Sequence, residues 1–386
     1  MDPNKLMEAW SLHRQELEQN LRVLLVEVNR QFRAQLEELL QRCGCAVSTA
    51  VSAEASLELV LTGQFPLVMV PSALIEMDGL VLVDQMRRQV SDLEVILTTR
   101  DITLDLVQRA FDLQIRDIIR KPIITMEDLV NQVLATIQHS INNQMRLFLL
   151  ARLRRMLNEL SPGQRQEAVS QLERRLMAYK AWLGRCDRLI VVESQAQLRN
   201  LSENLFRAHF DMEAAGQLDG AIRRASKGDI NLLFLQSTLE PARIQLELDR
   251  IRERVPSMDV VFIAPPQLKT AMAALHAGAA LYLPRVPSST EPLVPRVRRV
   301  LARHRERRLM DNLLMELFLE LLRIQGYPVS HGLLERFHSL VGSYHGDTIP
   351  PEEQLEDPEV RQSVDFLDEV LSDMIGDDDE AAEARV

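Results

Sequence analysis

The chain has 386 residues, enough for two or three domains with separate cores, and a formal net charge of −11 at pH 7. That acidic balance argues against non-specific nucleic-acid binding, because phosphates demand a basic surface. With 46% hydrophobic residues, three cysteines and no run near the ~20 apolar residues of a membrane span, a cytoplasmic globular protein without disulfides is expected.

Residues 1–19 form a charged helical segment without the apolar core of a signal peptide. Arg22-Val-Leu-Leu-Val-Glu27-Val28-Asn29 then reads as a buried strand ending in polar residues. Cys43 and Cys45 lie between a helix and a strand with no second Cys/His pair nearby, so they read as ordinary buried thiols. Leu67-Val-Met-Val70 is an apolar strand that Pro71 terminates, and Met77-Asp78-Gly79-Leu80 opens a helix. Glu94 to Thr99 is a further strand, and Ile118-Ile-Arg-Lys121-Pro122 the last of this series. Strands alternating with amphipathic helices imply a parallel sheet covered on both faces.

These residues resemble the receiver domain of bacterial response regulators. The resemblance implies that the strand before Met77-Asp78-Gly79 ends in a phosphoaccepting aspartate, and the residue there is Pro71. A proline ring has no nucleophile. The resemblance also implies two adjacent acids for Mg²⁺, a hydroxyl and a lysine. Glu27 matches one acid and Val28 fails the other, while Thr99 and Lys121 are retained. Val28 offers no oxygen to a hard cation.

The pattern recurs about 165 residues downstream. Arg188-Leu-Ile-Val-Val-Glu193-Ser194-Gln195 repeats the first strand, and Gly228 to Gln236 the third. Asp259 to Ala264 repeats the fourth, and Ala277 to Arg285 the last helix end and fifth strand. Gln236 stands at the phosphoacceptor position, Glu193 and Ser194 at the acid pair, and Arg285 in place of the lysine. An amide is no phosphoryl acceptor, and Arg does not replace Lys in such a pocket. Two flavodoxin-like, five-stranded parallel-sheet domains of α/β class are expected, at residues 20–125 and 185–288, with functional positions at the carboxyl ends of the strands.

Each domain precedes a helical extension, at residues 126–184 and 289–346. In the first, Ser161 caps a new helix with Pro162 in its opening turn. In the second, Leu309 to Leu322 is apolar around most of the helix circumference and must be buried. Packing of the two extensions as a small bundle is the preferred reading, with homodimerisation or a docked partner as alternatives. The arginine run 296–308 lacks interleaved aromatics and reads as an ion-paired helix face. His331, His338 and His345 read as surface or packing residues, and His139 lacks the surroundings of a phosphotransfer histidine. Residues 347–386 form an acidic tail in which 358–374 has the pattern of a short amphipathic helix.

No catalytic constellation, phosphate-cradling glycine loop, metal cluster or cofactor motif appears, so no enzyme is expected. The resemblance implies a non-catalytic signalling adaptor or scaffold of two-component, phosphorelay type. Its partners would be proteins: a signalling kinase, a receiver or a localisation protein. The alternative is a small-ligand sensor that binds an anion or nucleotide at the strand ends.

Overall fold

The computed structural model describes residues 3–337 apart from 64, 91–92, 123–125, 186–187, 228–229, 237–238, 285–292, 331 and 335–336. Arg285, Cys186, His331, His338, His345 and the acidic tail lie outside the described residues. The chain forms two compact units. One comprises residues 1–149 and 186–308, the other 150–185 and 309–386.

The first unit holds two sheets. Helix α1 (Pro3–Asn20) leads into β1 (Leu21–Val26), α2 (Arg30–Arg42), β2 (Cys45–Ala50), α3 (Ala53–Gly63), β3 (Leu67–Pro71), α4 (Gly79–Gln89), β4 (Glu94–Thr99), α5 (Leu104–Asp112) and β5 (Asp117–Arg120). All five strands are parallel, in the order β2-β1-β3-β4-β5. Helix α6 (Met126–Asn158) follows, then α7 (Pro162–Arg185). The second sheet is built from β6 (Arg188–Val192), α8 (Ala196–Arg207), β7 (Asp211–Ala215), α9 (Leu218–Ala225), β8 (Leu232–Gln236), α10 (Pro241–Arg254), β9 (Asp259–Ala264), α11 (Leu268–His276) and β10 (Leu281–Pro284). Its order, β7-β6-β8-β9-β10, is the same winding with the same reversal of direction after the first strand. Helix α12 (Val294–Ile324) ends the described architecture.

Every residue of β3, β4 and β8 is buried, as expected for strands covered on both faces. Helix starts differ between the two halves. Asn29, Asp78 and Thr103 each accept a backbone N–H at the head of α2, α4 and α5. Gln195, Glu240 and Gln267, at the same places in the second half, make no side-chain cap bond. A lost cap costs about 1 kcal/mol, so the first half has the stronger local helix signals.

Particular contacts recur at the sequence offset. Arg87 donates to the carbonyls of Leu113 and Gln114, and Arg252 to those of Ala277 and Gly278. Gln114 and Gly278 both have positive φ, 55° and 71°, so the two corners share one backbone shape held by one kind of clamp. At the start of the fourth strand, Glu94 meets Arg116 at 3.1 Å, His139 at 3.2 Å and Asn143 at 2.8 Å. Asp259 meets His304 at 3.2 Å and Arg307 at 2.6 Å. His139 is thus tied into a buried acid cluster at the end of the sheet opposite the strand carboxyl ends.

The two halves of this unit touch through α5, which packs on α11 and β10. Arg296 on α12 reaches Asp112 at 2.6 Å, and His276 on α11 reaches the buried Asp117 at 2.9 Å. Phe111 and Tyr282 stack with centroids 6.4 Å apart.

These clusters predict a pH dependence of stability. Burial opposes the charge on Glu94, but Arg116, His139 and Arg87 outweigh it and hold the carboxyl at about 2. Asp259 is likewise held well below the carboxylate range against its burial, by Arg307 and His304. Burial pushes the imidazoles of His139 and His304 below the ordinary histidine value. The unfolded chain therefore binds those two protons first, and stability is lost as pH falls below about 6.5. His276 has the opposite sign: burial disfavours its charge, yet Asp117 and the Ile118 backbone raise its pKa. Its contribution is complete below about 6.5 and is lost as pH rises through the folded value. Urea midpoints of the native chain should fall between about pH 7 and 5, and His139→Gln with His304→Gln should flatten that decline. An unchanged slope in the double variant would refute the assignment.

In the second unit, Leu153, Leu157, Leu172, Leu176, Leu317 and Phe318 are buried. Arg175 pairs with the buried Glu316 at 2.7 Å, and Arg323 bridges Glu320 and Glu167. Phe318 stacks on Phe337 with centroids 3.9 Å apart. The apolar run 309–322 is therefore covered from within the chain, by the intramolecular packing of the two extensions.

Candidate functional site

The carboxyl end of the first sheet gathers the residues singled out from the sequence. Pro71 ends β3 opposite Thr98 of β4, fully inside the sheet. Beyond it the chain folds back on itself. Leu74 N–H donates to Met77 at 3.0 Å, Gly79 N–H donates to Ser72 at 2.9 Å, and Ala73 and Asp78 form an isolated bridge. A Cβ on Gly79 would stand 1.9 Å from the Pro71 carbonyl oxygen, so only glycine permits this return of the loop. Asp78 caps α4 through Leu80 N–H at 2.7 Å, and its other oxygen meets Arg109 at 3.3 Å.

Glu27 is 4% exposed. Its carboxylate accepts the Asn29 N–H at 2.9 Å and forms an ion pair with Lys121, whose side chain crosses from the end of β5. The Lys121 ammonium also lies 4.7 Å above the Phe32 ring. The Thr99 hydroxyl accepts from Ser72 at 2.8 Å and donates to the Asp101 carbonyl at 3.1 Å. Val28 faces solvent. The structure thus brings Glu27 and Lys121 together and leaves Val28 outside the pair.

At the corresponding end of the second sheet, the buried Gln236 side chain accepts a hydrogen bond from Ser202 at 2.5 Å. Glu193 accepts the Gln195 N–H at 2.9 Å and the Ser194 hydroxyl at 3.3 Å. Arg199 donates to the Glu193 carbonyl at 2.8 Å, as Arg33 does to that of Glu27. Ser202 and Ser72 were not read from the sequence as site residues. Ser202 had one usable signal, a hydroxyl on the buried stripe of α8, where the offset in α2 gives the apolar Leu36.

Chemically, the first site offers no nucleophile at the end of β3, and its one buried carboxylate is neutralised by a lysine. A magnesium ion needs several oxygen ligands. Among the described residues no group of three or more His, Cys, Asp or Glu is placed to hold a metal. Nor is any described helix long and apolar enough to cross a membrane.

Residues 23–134 match the family model of the response regulator receiver domain. Among solved structures, a CheY-like receiver domain protein from Methanospirillum hungatei JF-1 is similar at 19% identity, covering 31% of this chain and 94% of its own, with a TM-score of 0.29. The receiver domain of a LuxO-type repressor from Vibrio parahaemolyticus is similar at 17% identity, covering 33% and 96%, with a TM-score of 0.31. An orphan response regulator of H. pylori is similar at 26% identity, covering 30% and 96%, with a TM-score of 0.28. No curated protein matches the chain.

Proposed function

We propose that this chain is a non-catalytic signalling adaptor of two-component type, built on two receiver-like domains that work without an aspartyl phosphate. The domains are residues 20–125 and 185–288, and the segments 126–184 and 289–346 are their helical extensions. Pro71 and Gln236 stand at the phosphoacceptor positions, Glu27 with Val28 and Glu193 with Ser194 at the acid pairs. Thr99, Lys121 and Arg285 are what remains of the other receiver positions.

The observation that carries this reading is the ion pair between Lys121 and Glu27 beside Pro71. In an active receiver a lysine at this point would be available to a phosphoryl oxygen. Here it is held by a carboxylate, next to a residue that accepts nothing. In the second domain Gln236 is bonded to Ser202 inside the fold. The engagement of Lys121 by Glu27 weighs against a small anion bound in the first pocket. The expected ligands are proteins, and the cytoplasm is the compartment where such partners meet.

The test is phosphorylation itself. Incubation with acetyl phosphate and Mg²⁺, followed by mapping of acyl phosphates by mass spectrometry, should find none on either domain. An acyl phosphate mapped to residues 20–125 or 185–288 would end the proposal. Should one arise on a neighbouring carboxylate such as Asp78, the site would have moved and not been lost.

A further inference from the structure

The corners at the ends of α5 and α11 are built alike. Each is clamped by an arginine of the preceding helix, Arg87 on the Leu113 and Gln114 carbonyls and Arg252 on those of Ala277 and Gly278. The last helical residue differs: Asp112 ends α5 and His276 ends α11. Each is met by a charged group from the other half of the unit. Arg296 on α12 reaches Asp112 at 2.6 Å, and Asp117 at the start of β5 reaches His276 Nε2 at 2.9 Å. The contact between the halves is thus fastened twice. One fastening is a guanidinium that keeps its charge at any working pH, and the other is an imidazole that does not.

Asp117 is buried, and the residue at the matching start of β10 is Leu281. The winding therefore needs no carboxylate there, and a buried one is costly unless it is paired. Its Oδ1 accepts the Ile118 N–H at 2.7 Å and meets the imidazole. The other described charges on the elements around His276 are committed elsewhere or stand away from it. On α5, Arg109 pairs with Asp78, and Asp105 is exposed in the first turn. On α10, Arg252 holds its two carbonyls and lies 3.5 Å from Asp249. Arg116 before β5 pairs with Glu94, and Arg120 is exposed at the far end of that strand. Lys269 stands in the first turn of α11, and Tyr282 on β10 gives its hydroxyl to the Pro265 carbonyl. The Gln132 amide on α6 lies 3.4 Å from the ring and is neutral. Among the described residues, Asp117 is the carboxylate that this imidazole meets.

We propose that His276 and Asp117 form a proton-operated latch on the contact between the two halves of this unit, shut when the imidazole carries its proton and slackened when it does not. The Arg296–Asp112 pair is the side that holds at every pH. Phe111 and Tyr282 stack across the same contact, so the slackening is local. Its sign follows from the ring's surroundings. Burial disfavours the charged imidazole, yet Asp117 and the Ile118 backbone raise its pKa. Closure therefore binds a proton, is complete below about 6.5, and weakens as pH rises through the closed-state value. The latch goes beyond the adaptor reading and does not depend on it. It would govern access to the faces of α5 and α11 that cover each other.

Hydrogen exchange of the full chain at about pH 6.5 and 8.5, read by mass spectrometry and corrected for intrinsic rates, tests it. Native amides of β5 and α11 should exchange about three- to fivefold faster at the higher pH, the difference between a charged and a neutral hydrogen bond. Amides of β3 and β8 should not respond. His139 and His304 stay neutral across this window, because burial holds them below the ordinary histidine value. His276 is about a third exposed at a helix end, so His276→Gln should fold normally and exchange fast at both pH values. Asp117→Asn should do the same, and should bring the His276 titration followed by NMR down towards the ordinary value. Native exchange that ignores pH would overturn the inference, and so would a pH response that survives in His276→Gln. A native His276 resonance that titrates below about 6.5 would overturn it as well.

Discussion

Replacing Lys121 by methionine should lower the stability of the first domain by about 3–5 kcal/mol, because it strands a buried carboxylate. The Glu27 side chain is 5% exposed and that of Lys121 16%, so water can do little for Glu27 once the ammonium is gone. The remaining bond from Asn29 N–H satisfies only part of the carboxylate. Methionine keeps much of the packing against Phe32, so the loss would report charge and not volume. Adding Glu27→Gln to this variant should recover most of the loss, since a neutral amide costs far less to bury. Urea unfolding of the single and double variants measures both steps. A loss below about 1 kcal/mol for Lys121→Met would mean that Glu27 reaches solvent and that the pair does not close the site.

Gly79→Ala should be nearly as costly, at about 3 kcal/mol, for a purely steric reason. The added carbon would overlap the Pro71 carbonyl oxygen at 1.9 Å, and that oxygen is backbone at the end of a fully buried strand. Either α4 must start elsewhere or the loop carrying Ile75 must open. Gly163, near the start of α7, is the matched control. A Cβ there meets nothing within 4 Å, so Gly163→Ala should stabilise by about 0.4–1 kcal/mol. Thermal denaturation of the two variants should therefore move in opposite directions. Equal small shifts would show that the loop after β3 is free to relax.

Much of the fold was legible because its signals are local. Apolar runs such as Leu67–Val70 and Val260–Ile263 mark strands buried on both faces, and Asn29, Asp78 and Thr103 mark helix starts by their caps. Pro71 and Gln236 could be placed at strand ends for the same reason. The repeat was visible as pattern, but its depth was not. The clamps from Arg87 and Arg252, and the acid–imidazole clusters on Glu94 and Asp259, depend on side chains far apart in the chain. The bundle formed by the helical extensions was one of three readings, because an apolar helix specifies that it will be buried and not by what.

By itself the sequence determined that β3 ends in Pro71, a residue without a nucleophile, since that is a property of the side chain alone. Whether Lys121 was still free could not be read, as its partner Glu27 lies on another strand and meets it only when the sheet orders β1, β3, β4 and β5. Exposure was equally hidden. Val28 and Val26 are the same residue two positions apart, yet one faces solvent and the other is buried in the core. Which of them is available to another molecule is decided by where the strand stops, and only the packed sheet sets that.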